Sequence, residues 1–323
     1  MVSESKIPEN AYDVVIVGGG PGGLTAGIYA SRASLKVLLL EGNSTVSQIT
    51  VTDIIENYPG LPDVTGQELI DTFKKQAVKF GLEIQSEQAH SIEGEEMGDV
   101  KGWRIVTDKA EYRTLSVIVA TGAAWRPLGV PGEQEFIGRG ISYCATCDAP
   151  FYRQRDVVVV GGGDTAVQEA IFLTKFASKV TIIHRRNRLR ATGILQERAL
   201  ANEKIDFAWD SVIDEIVGDQ SGVTGVRIKN VKSPEKVSEI KAEGAFIFIG
   251  LDPITDLVKD LVKCDEGGYI IADSDMRTTK EGIFACGDCI EKTLRQVVTA
   301  CGDGATAAHN AELYVDDLKG QAY

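Results

Sequence analysis

A unit made of an apolar strand, a glycine-rich loop and a helix occurs twice in this 323-residue chain, and the repetition constrains the fold more than any other feature. The first copy opens with Asp13-Val14-Val15-Ile16-Val17, an apolar run of the kind buried on both faces of a parallel sheet. It runs into Gly18-Gly19-Gly20-Pro21-Gly22-Gly23 and a helix-forming stretch from Leu24 to Ala30. The second copy opens with Val157-Val158-Val159-Val160 and runs into Gly161-Gly162-Gly163-Asp164-Thr165-Ala166, with alanine in the third small-residue place. Small residues at 18, 20 and 23, and at 161, 163 and 166, let backbone amides and a helix N-terminus approach a pyrophosphate. A glycine-rich turn without a ligand is the plainer reading of either copy taken alone.

The two copies keep the same register and differ where it matters chemically. Glu41 stands 23 residues after Gly18, at the end of the strand Val37-Leu38-Leu39-Leu40. His184 stands 23 residues after Gly161, at the end of Val180-Thr181-Ile182-Ile183. An acid at that distance suits the hydroxyls of an unphosphorylated ribose. The second copy instead delivers His184-Arg185-Arg186, with Arg188 and Arg190 close behind, and guanidinium forks bind a 2′-phosphate bidentately. The first site therefore predicts the ADP of FAD and the second NADPH. The alternative for the arginines, a solvated basic face, is weakened by their gathering at this one position of an acidic chain.

Each copy closes with another apolar strand and a glycine, Val117-Ile118-Val119-Ala120-Thr121-Gly122-Ala123 and Ala245-Phe246-Ile247-Phe248-Ile249-Gly250. Prolines follow both, in Arg126-Pro127 and Asp252-Pro253. The expected fold is α/β, two Rossmann-like nucleotide-binding domains of the three-layer FAD/NAD(P)-binding type, the second inserted into the first. The FAD-binding domain comprises 1–123 plus 253–323, and the NADPH-binding domain 124–252. Near the end, Gly282-Ile283-Phe284-Ala285-Cys286-Gly287-Asp288 brings a carboxylate off a strand where it can hold a ribityl hydroxyl. A final helix is expected from about Gln296 through Tyr314.

A formal charge of -13 argues against a nucleic acid or an anionic membrane as the main partner. The N-terminus has no signal-peptide core and no apolar run approaches membrane-spanning length, so the expected location is the cytoplasm. In that reducing compartment six cysteines point to catalysis rather than to a stapled scaffold.

Cys144-Ala145-Thr146-Cys147-Asp148 is where the chemistry concentrates. Two cysteines at this spacing can close a readily reduced disulfide or bind a metal. The histidines, His90, His184 and His309, are too scattered to complete a zinc site, and none is expected. Asp148, directly after the second cysteine, offers a proton donor and acceptor to a thiolate. Spacing alone leaves both readings open; two nucleotide sites flanking the pair weigh towards redox exchange. A second such spacing, Cys286-Gly287-Asp288-Cys289, is read as incidental, because Gly287 and Asp288 already have a flavin role.

These motifs fall in one order: Gly18-x-Gly20-x-x-Gly23, Glu56-Asn57-Tyr58-Pro59-Gly60, Ala120-Thr121-Gly122-Ala123, Cys144 to Asp148, Gly161 to Ala166, His184-Arg185-Arg186 with Arg190-Ala191, and Gly287-Asp288 with Arg295-Gln296. In that order the chain resembles the low-molecular-weight thioredoxin reductases over essentially its full length. The resemblance implies a homodimeric FAD protein that moves electrons from NADPH to the disulfide of thioredoxin. It implies that Cys144 and Cys147 form the redox disulfide, with Cys147 against the flavin, Cys144 attacking the acceptor and Asp148 as acid-base partner. Arg185, Arg186 and Arg190 would hold the 2′-phosphate. Gln48, Asn57, Asp288, Arg295 and Gln296 would contact FAD, with Glu41 on its adenosine ribose. The pattern departs at Val46-Ser47, where the family has two glycines before Gln48, and at Ala149, Gln168 and Gly193. A dithiol oxidase using O2, or a reductase fed by ferredoxin or a deazaflavin, would not need the arginine cluster. With the dithiol and the NADPH site both in the inserted domain, one flavin must meet each in turn, so that domain is expected to swing about its two crossings.

Overall fold

The computed structural model describes residues 7–42, 49–50, 55, 57–61 and 64–320, with only the backbone of Thr146 and Cys147. Gln48 and Glu56 lie outside the described residues. The chain forms two compact units, Met1–Ala124 with Asp252–Tyr323, and Trp125–Leu251.

The first unit begins with β1 (Tyr12–Val17), α1 (Pro21–Arg32) and β2 (Val37–Leu40). Next comes α2 (Gly66–Lys79), opened by a capping box in which Thr65 Oγ1 accepts the Glu68 N–H and the Glu68 carboxylate accepts the Thr65 N–H. Then follow β3 (Glu83–Gln85), β4 (Ala89–Met97), β5 (Val100–Thr107) and β6 (Glu111–Val119). The sheet order is β3-β2-β1-β6-β5-β4, with β1 parallel to both β2 and β6. The apolar run from Val117 reads on to Ala123 in sequence, yet the strand stops at Val119, and Gly122 turns the chain at φ +72 into β7 (Ala123–Trp125).

The second unit contains β8 (Ile141–Ser142), α3 (Ala145–Asp148), β9 (Asp156–Gly161), α4 (Asp164–Leu173), β10 (Lys179–Ile183), α5 (Gly193–Leu200) and β11 (Ile205–Ala208). The hairpin strands β12 (Ser211–Asp219), β13 (Gly222–Asn230) and β14 (Val237–Lys241) follow, then β15 (Gly244–Phe248). The parallel sheet runs β11-β10-β9-β15-β8, and β12-β13-β14 form a separate antiparallel sheet. Through β16 (Leu251–Pro253) the chain returns to the first unit, where β17 (Ile283–Ala285) lies parallel to β6 and α6 (Val297–Leu318) ends the fold.

Both units bury their parallel strands on two faces, which is why those strands are apolar throughout rather than alternating. Val14, Ile16, Leu39 and Ile118 pack with α1, α2 and α6, while Val15, Val17, Leu38, Leu40, Val117 and Val119 pack against β4, β5 and the segment around Val258 and Ile270. In the second unit Val157, Val159, Val180 and Ile182 face α4, and Val158, Val160, Ile183 and Ile247 face β12 and β13. Helices α1 and α6 pack closely: a Cβ placed on Gly304 would lie 2.1 Å from the carbonyl oxygen of Gly22. Only glycine allows two helix backbones this close.

Candidate functional site

The two glycine loops are built to one design. A Cβ on Gly18 would meet the Ala120 carbonyl oxygen at 2.2 Å, and one on Gly161 would meet that of Phe248 at 2.3 Å. Each loop thus turns against the end of the neighbouring strand. Among the described residues nothing lies within 4 Å of a Cβ placed on Gly20 or Gly163, which precede α1 and α4, so among those residues open space lies before each helix N-terminus. Pro21 fills the first turn of α1, where a missing N–H costs no helical bond. A Cβ on Gly23 would lie 1.9 Å from Gly18 O, whereas the second copy holds Ala166, 1% exposed, in that place.

The middle glycines identify the selecting residues. A Cβ on Gly19 would meet Glu41 Cγ at 2.8 Å, and one on Gly162 would meet His184 Nδ1 at 2.4 Å, so Glu41 and His184 occupy corresponding places. Glu41 is ion-paired with Lys74 of α2, a partner the sequence does not reveal. His184 is 5% exposed; its ring bonds the Arg188 backbone, and among the described residues its Nε2 has no hydrogen-bond partner. Burial lowers its pKa below the ordinary 6.5, and the charges of Arg190, Arg186 and Arg185 lower it further. Those three arginines are exposed, and the Arg190 and Ala191 N–H groups both donate to Gly162 O, at 2.7 and 3.1 Å, tying the basic loop to the glycine loop. Asp164 Oδ1 accepts the Thr192 N–H at 2.6 Å, while Thr165 lies in the first turn of α4. Sequence reasoning missed Trp209, whose ring meets His184 edge-on at 6.5 Å and stacks on Phe207 at 4.7 Å. The available signal was an aromatic pair at the end of the strand after the one carrying His184.

In the first unit, Gly287 at φ +77 starts the turn that carries Asp288. Asp288 Oδ1 is buried without a partner among the described residues, and burial pushes the carboxyl pKa up against the opposing charges of Lys292 and Arg295. The Gly287 N–H donates to Asp303 Oδ2 at 3.2 Å, and the Lys292 ammonium pairs with the same oxygen. Arg295 is committed to this turn, donating to Asp288 O at 3.4 Å and Ile290 O at 3.2 Å while lying 4.0 Å over the Tyr269 ring. Gln296 is the N-cap of α6, and its Oε1 accepts from Asn57 Nδ2 at 2.8 Å. Thr121 Oγ1 donates to Ile254 O at 2.5 Å, fixing the Ala120-Thr121-Gly122 turn. Open space at Gly20 and Gly163, together with the partnerless Asp288 Oδ1 and His184 Nε2, fits one dinucleotide at each loop.

Cys144 is disulfide-bonded, and Cys264, Cys286, Cys289 and Cys301 are free. The side chain of Cys147 lies outside the described portion. Cys144 sits between β8 and α3, where Ser142 Oγ accepts the Cys144 N–H and donates to the Cys144 carbonyl, both at 3.0 Å. Asp148 ends α3 and donates its N–H to Cys144 O at 3.3 Å. Burial, then the Asp148 charge, raises the pKa of Tyr152 one turn on. Phe151, also missed in the sequence, is 73% exposed beside this helix. Cys286 and Cys289 are both 0% exposed and enter opposite cores, Cys286 with the α1–α6 side and Cys289 with the β4–β5 side. Burial raises both their thiol pKa values. Among the described residues no group of three or more His, Cys, Asp or Glu could hold a metal.

Residues 12–304 match a family described as pyridine nucleotide-disulphide oxidoreductase. A thioredoxin reductase of Listeria monocytogenes is 46% identical over 99% of this chain and 97% of its own, and one of Bacillus subtilis 45% identical over 98% of each. The crystal structure of Lactococcus lactis thioredoxin reductase in its FR conformation superposes with a TM-score of 0.90 at 47% identity, covering 95% of this chain and 99% of that one. The T. acidophilum thioredoxin reductase structure gives 0.88 at 34% identity, covering 96% and 99%.

Proposed function

The chain belongs to the pyridine nucleotide-disulphide oxidoreductase family, and on that premise we propose that it carries electrons from NADPH, through FAD and the Cys144–Cys147 pair, to the disulfide of thioredoxin. The observation that carries this reading is the matched pair of glycine loops, one filled by Glu41 and the other by His184 with exposed arginines around it.

FAD, when bound, relays two electrons from the nicotinamide to the disulfide. Gly18, Gly20, Pro21 and Gly23 present the N-terminus of α1 to its pyrophosphate, Glu41 takes its adenosine ribose, and Asp288 takes a ribityl hydroxyl. Asn57, Ala120, Thr121, Gly122, Gly287, Arg295 and Gln296 would shape the rest of that pocket, and Gln48, outside the described residues, is a further FAD contact in this reading. Gly161, Gly163, Asp164, Thr165 and Ala166 receive the NADPH pyrophosphate, and Arg185, Arg186 and Arg190 hold the 2′-phosphate beside His184. The Cys144 thiolate attacks one sulfur of the acceptor disulfide and expels the other as a thiolate. Cys147 then attacks the Cys144 sulfur, closing the enzyme disulfide and releasing the second acceptor thiolate. Asp148 holds and passes a proton to the departing thiolates, so that NADPH, one proton and a disulfide become NADP⁺ and a dithiol. Phe151, exposed in the turn that follows α3, offers the acceptor an apolar contact.

The protein works as a cytoplasmic homodimer, without nucleic-acid or membrane partners; among the described residues no helix is long and apolar enough to cross a membrane. The second unit swings about its two crossings during turnover, and full turnover with the units crosslinked would contradict this. An anaerobic titration tests the whole reading: NADPH should bleach the flavin far more readily than NADH, and the reduced protein should then reduce thioredoxin but not glutathione disulfide. Equal response to the two donors would remove the NADPH assignment.

A further inference from the structure

Glu133 is 1% exposed, an unusual place for a carboxylate. Its oxygens take three donors: the Leu128 N–H at 2.8 Å, the Gly129 N–H at 2.6 Å, and the Tyr143 hydroxyl at 2.6 Å. The turn that carries it is itself wedged in place. Pro131 O accepts the Ile216 N–H at 2.9 Å, and a Cβ on Gly132 would lie 2.3 Å from Ile216 O, so the turn lies directly on β12. Two backbone donors and a neighbouring strand thus make the carboxylate a fixed point. Tyr143 reaches from that point to the peptide bond immediately before Cys144. Burial, followed by the bond to Glu133, raises the Tyr143 pKa, so the phenol stays protonated and donating.

Extending the proposed function, on which this rests, we propose that Glu133 and Tyr143 are positioning residues that hold the Cys144 backbone in its disulfide-closing geometry while the disulfide is open. A disulfide constrains its own cysteines, and that constraint vanishes in each cycle when the bond is reduced. On the C-terminal side Cys144 then keeps the α3 bond to the Asp148 N–H; on the N-terminal side it keeps the Ser142 hydroxyl bridge and the Tyr143 anchor. A backbone held this way raises the effective concentration of one thiol at the other, which favours closure of the ring and makes the dithiol a stronger reductant. The sequence could not announce this pair, because ten residues separate a glutamate in a Pro-Gly turn from a tyrosine in the bend that follows β8.

The test uses the FAD-loaded protein and the variants Tyr143→Phe, Glu133→Gln and both together. Three quantities are read: the dithiol–disulfide equilibrium against a redox buffer of known potential, turnover with thioredoxin, and NADPH oxidation by ferricyanide, which bypasses the cysteines. Each single variant should lose up to about tenfold in the ring-closing equilibrium, a rise of about 30 mV in potential, with a similar fall in thioredoxin turnover and unchanged ferricyanide activity. The double variant should resemble Tyr143→Phe, since Glu133 acts through the tyrosine. An unchanged potential in Tyr143→Phe overturns the proposal, as does a double variant that multiplies the two single effects. A wild-type protein inert towards thioredoxin would defeat the proposed function, while the potentials would still decide the role of this pair.

Discussion

Asn57 Nδ2 donates to Gln296 Oε1 across 2.8 Å, joining a turn in the first part of the chain to the cap of its last helix. A neutral hydrogen bond of this kind contributes about 0.5–1.5 kcal/mol. Asn57→Ala should therefore weaken FAD retention about two- to tenfold, measured as the FAD concentration needed to restore visible absorbance to deflavinated protein. Affinity for 2′,5′-ADP at the other glycine loop should stay as it was; a parallel loss there would show that the variant had damaged the fold.

Donor preference should follow the arginines. Bonds from a guanidinium to a phosphate contribute about 1.5–3 kcal/mol each, so Arg185→Ala or Arg186→Ala should cost roughly ten- to a hundredfold in kcat/KM for NADPH. The value for NADH, which has no 2′-phosphate, should barely move. Equal losses with both donors would place these side chains elsewhere than on the 2′-phosphate.

With no nucleotide added, His184 should make the protein sensitive to acid. Its folded pKa lies below 6.5, so below that pH the unfolded chain takes up the proton first. The associated stability is complete above pH 6.5 and is lost as pH falls through that value towards the folded pKa. Thermal unfolding followed from about pH 7.5 to about pH 5 should show a steeper acid loss in wild type than in His184→Asn. A 2′-phosphate favours the imidazolium, so NADP⁺ should flatten the wild-type curve. Parallel curves for the two proteins would sink this assignment.

The two cysteines should not be interchangeable. Cys147→Ser leaves Cys144 without a resolving partner, so a mixed disulfide with thioredoxin should accumulate on Cys144 and be visible by mass spectrometry. Cys144→Ser should trap none. Asp148→Asn should bind both cofactors with little change yet slow dithiol turnover by about 10²- to 10⁴-fold, since it removes a proton carrier and keeps the volume. A trapped adduct on Cys147 in the Cys144→Ser variant would reverse the roles.

What the sequence could show was whatever depends on local spacing. The strand, loop and helix of each repeat, and the equivalence of Glu41 with His184, follow from period and register alone, and the middle glycines bear the equivalence out at 2.8 and 2.4 Å. What it could not show depends on contacts between distant segments. The pairing of Glu41 with Lys74 and the commitment of Arg295 to Asp288 O and Ile290 O required α2 and the 287–295 turn to be placed in space. Trp209 was illegible for a related reason, since an aromatic at a strand end reads as core until the neighbouring strand is known to carry His184. The end of β6 was misread because Ala120 to Ala123 is apolar enough to continue a strand, and only the backbone at Gly122 shows that it turns.

The contact of Gly22 with Gly304 sets the order in which this protein can be made. A ribosome adds about 5–20 residues per second, so roughly 10–60 s pass between the emergence of the first glycine loop and that of the helix that packs on it. Throughout that interval the first 124 residues lack β17 and α6, and so lack Asp288 and Gln296 as well. The inserted unit, continuous from Trp125 to Leu251, suffers no such delay. Its nucleotide loop and cysteine pair are complete while the first unit still waits for its closing strand, so a flavin pocket that needs Asp288 and Gln296 is the last part of the protein to be completed.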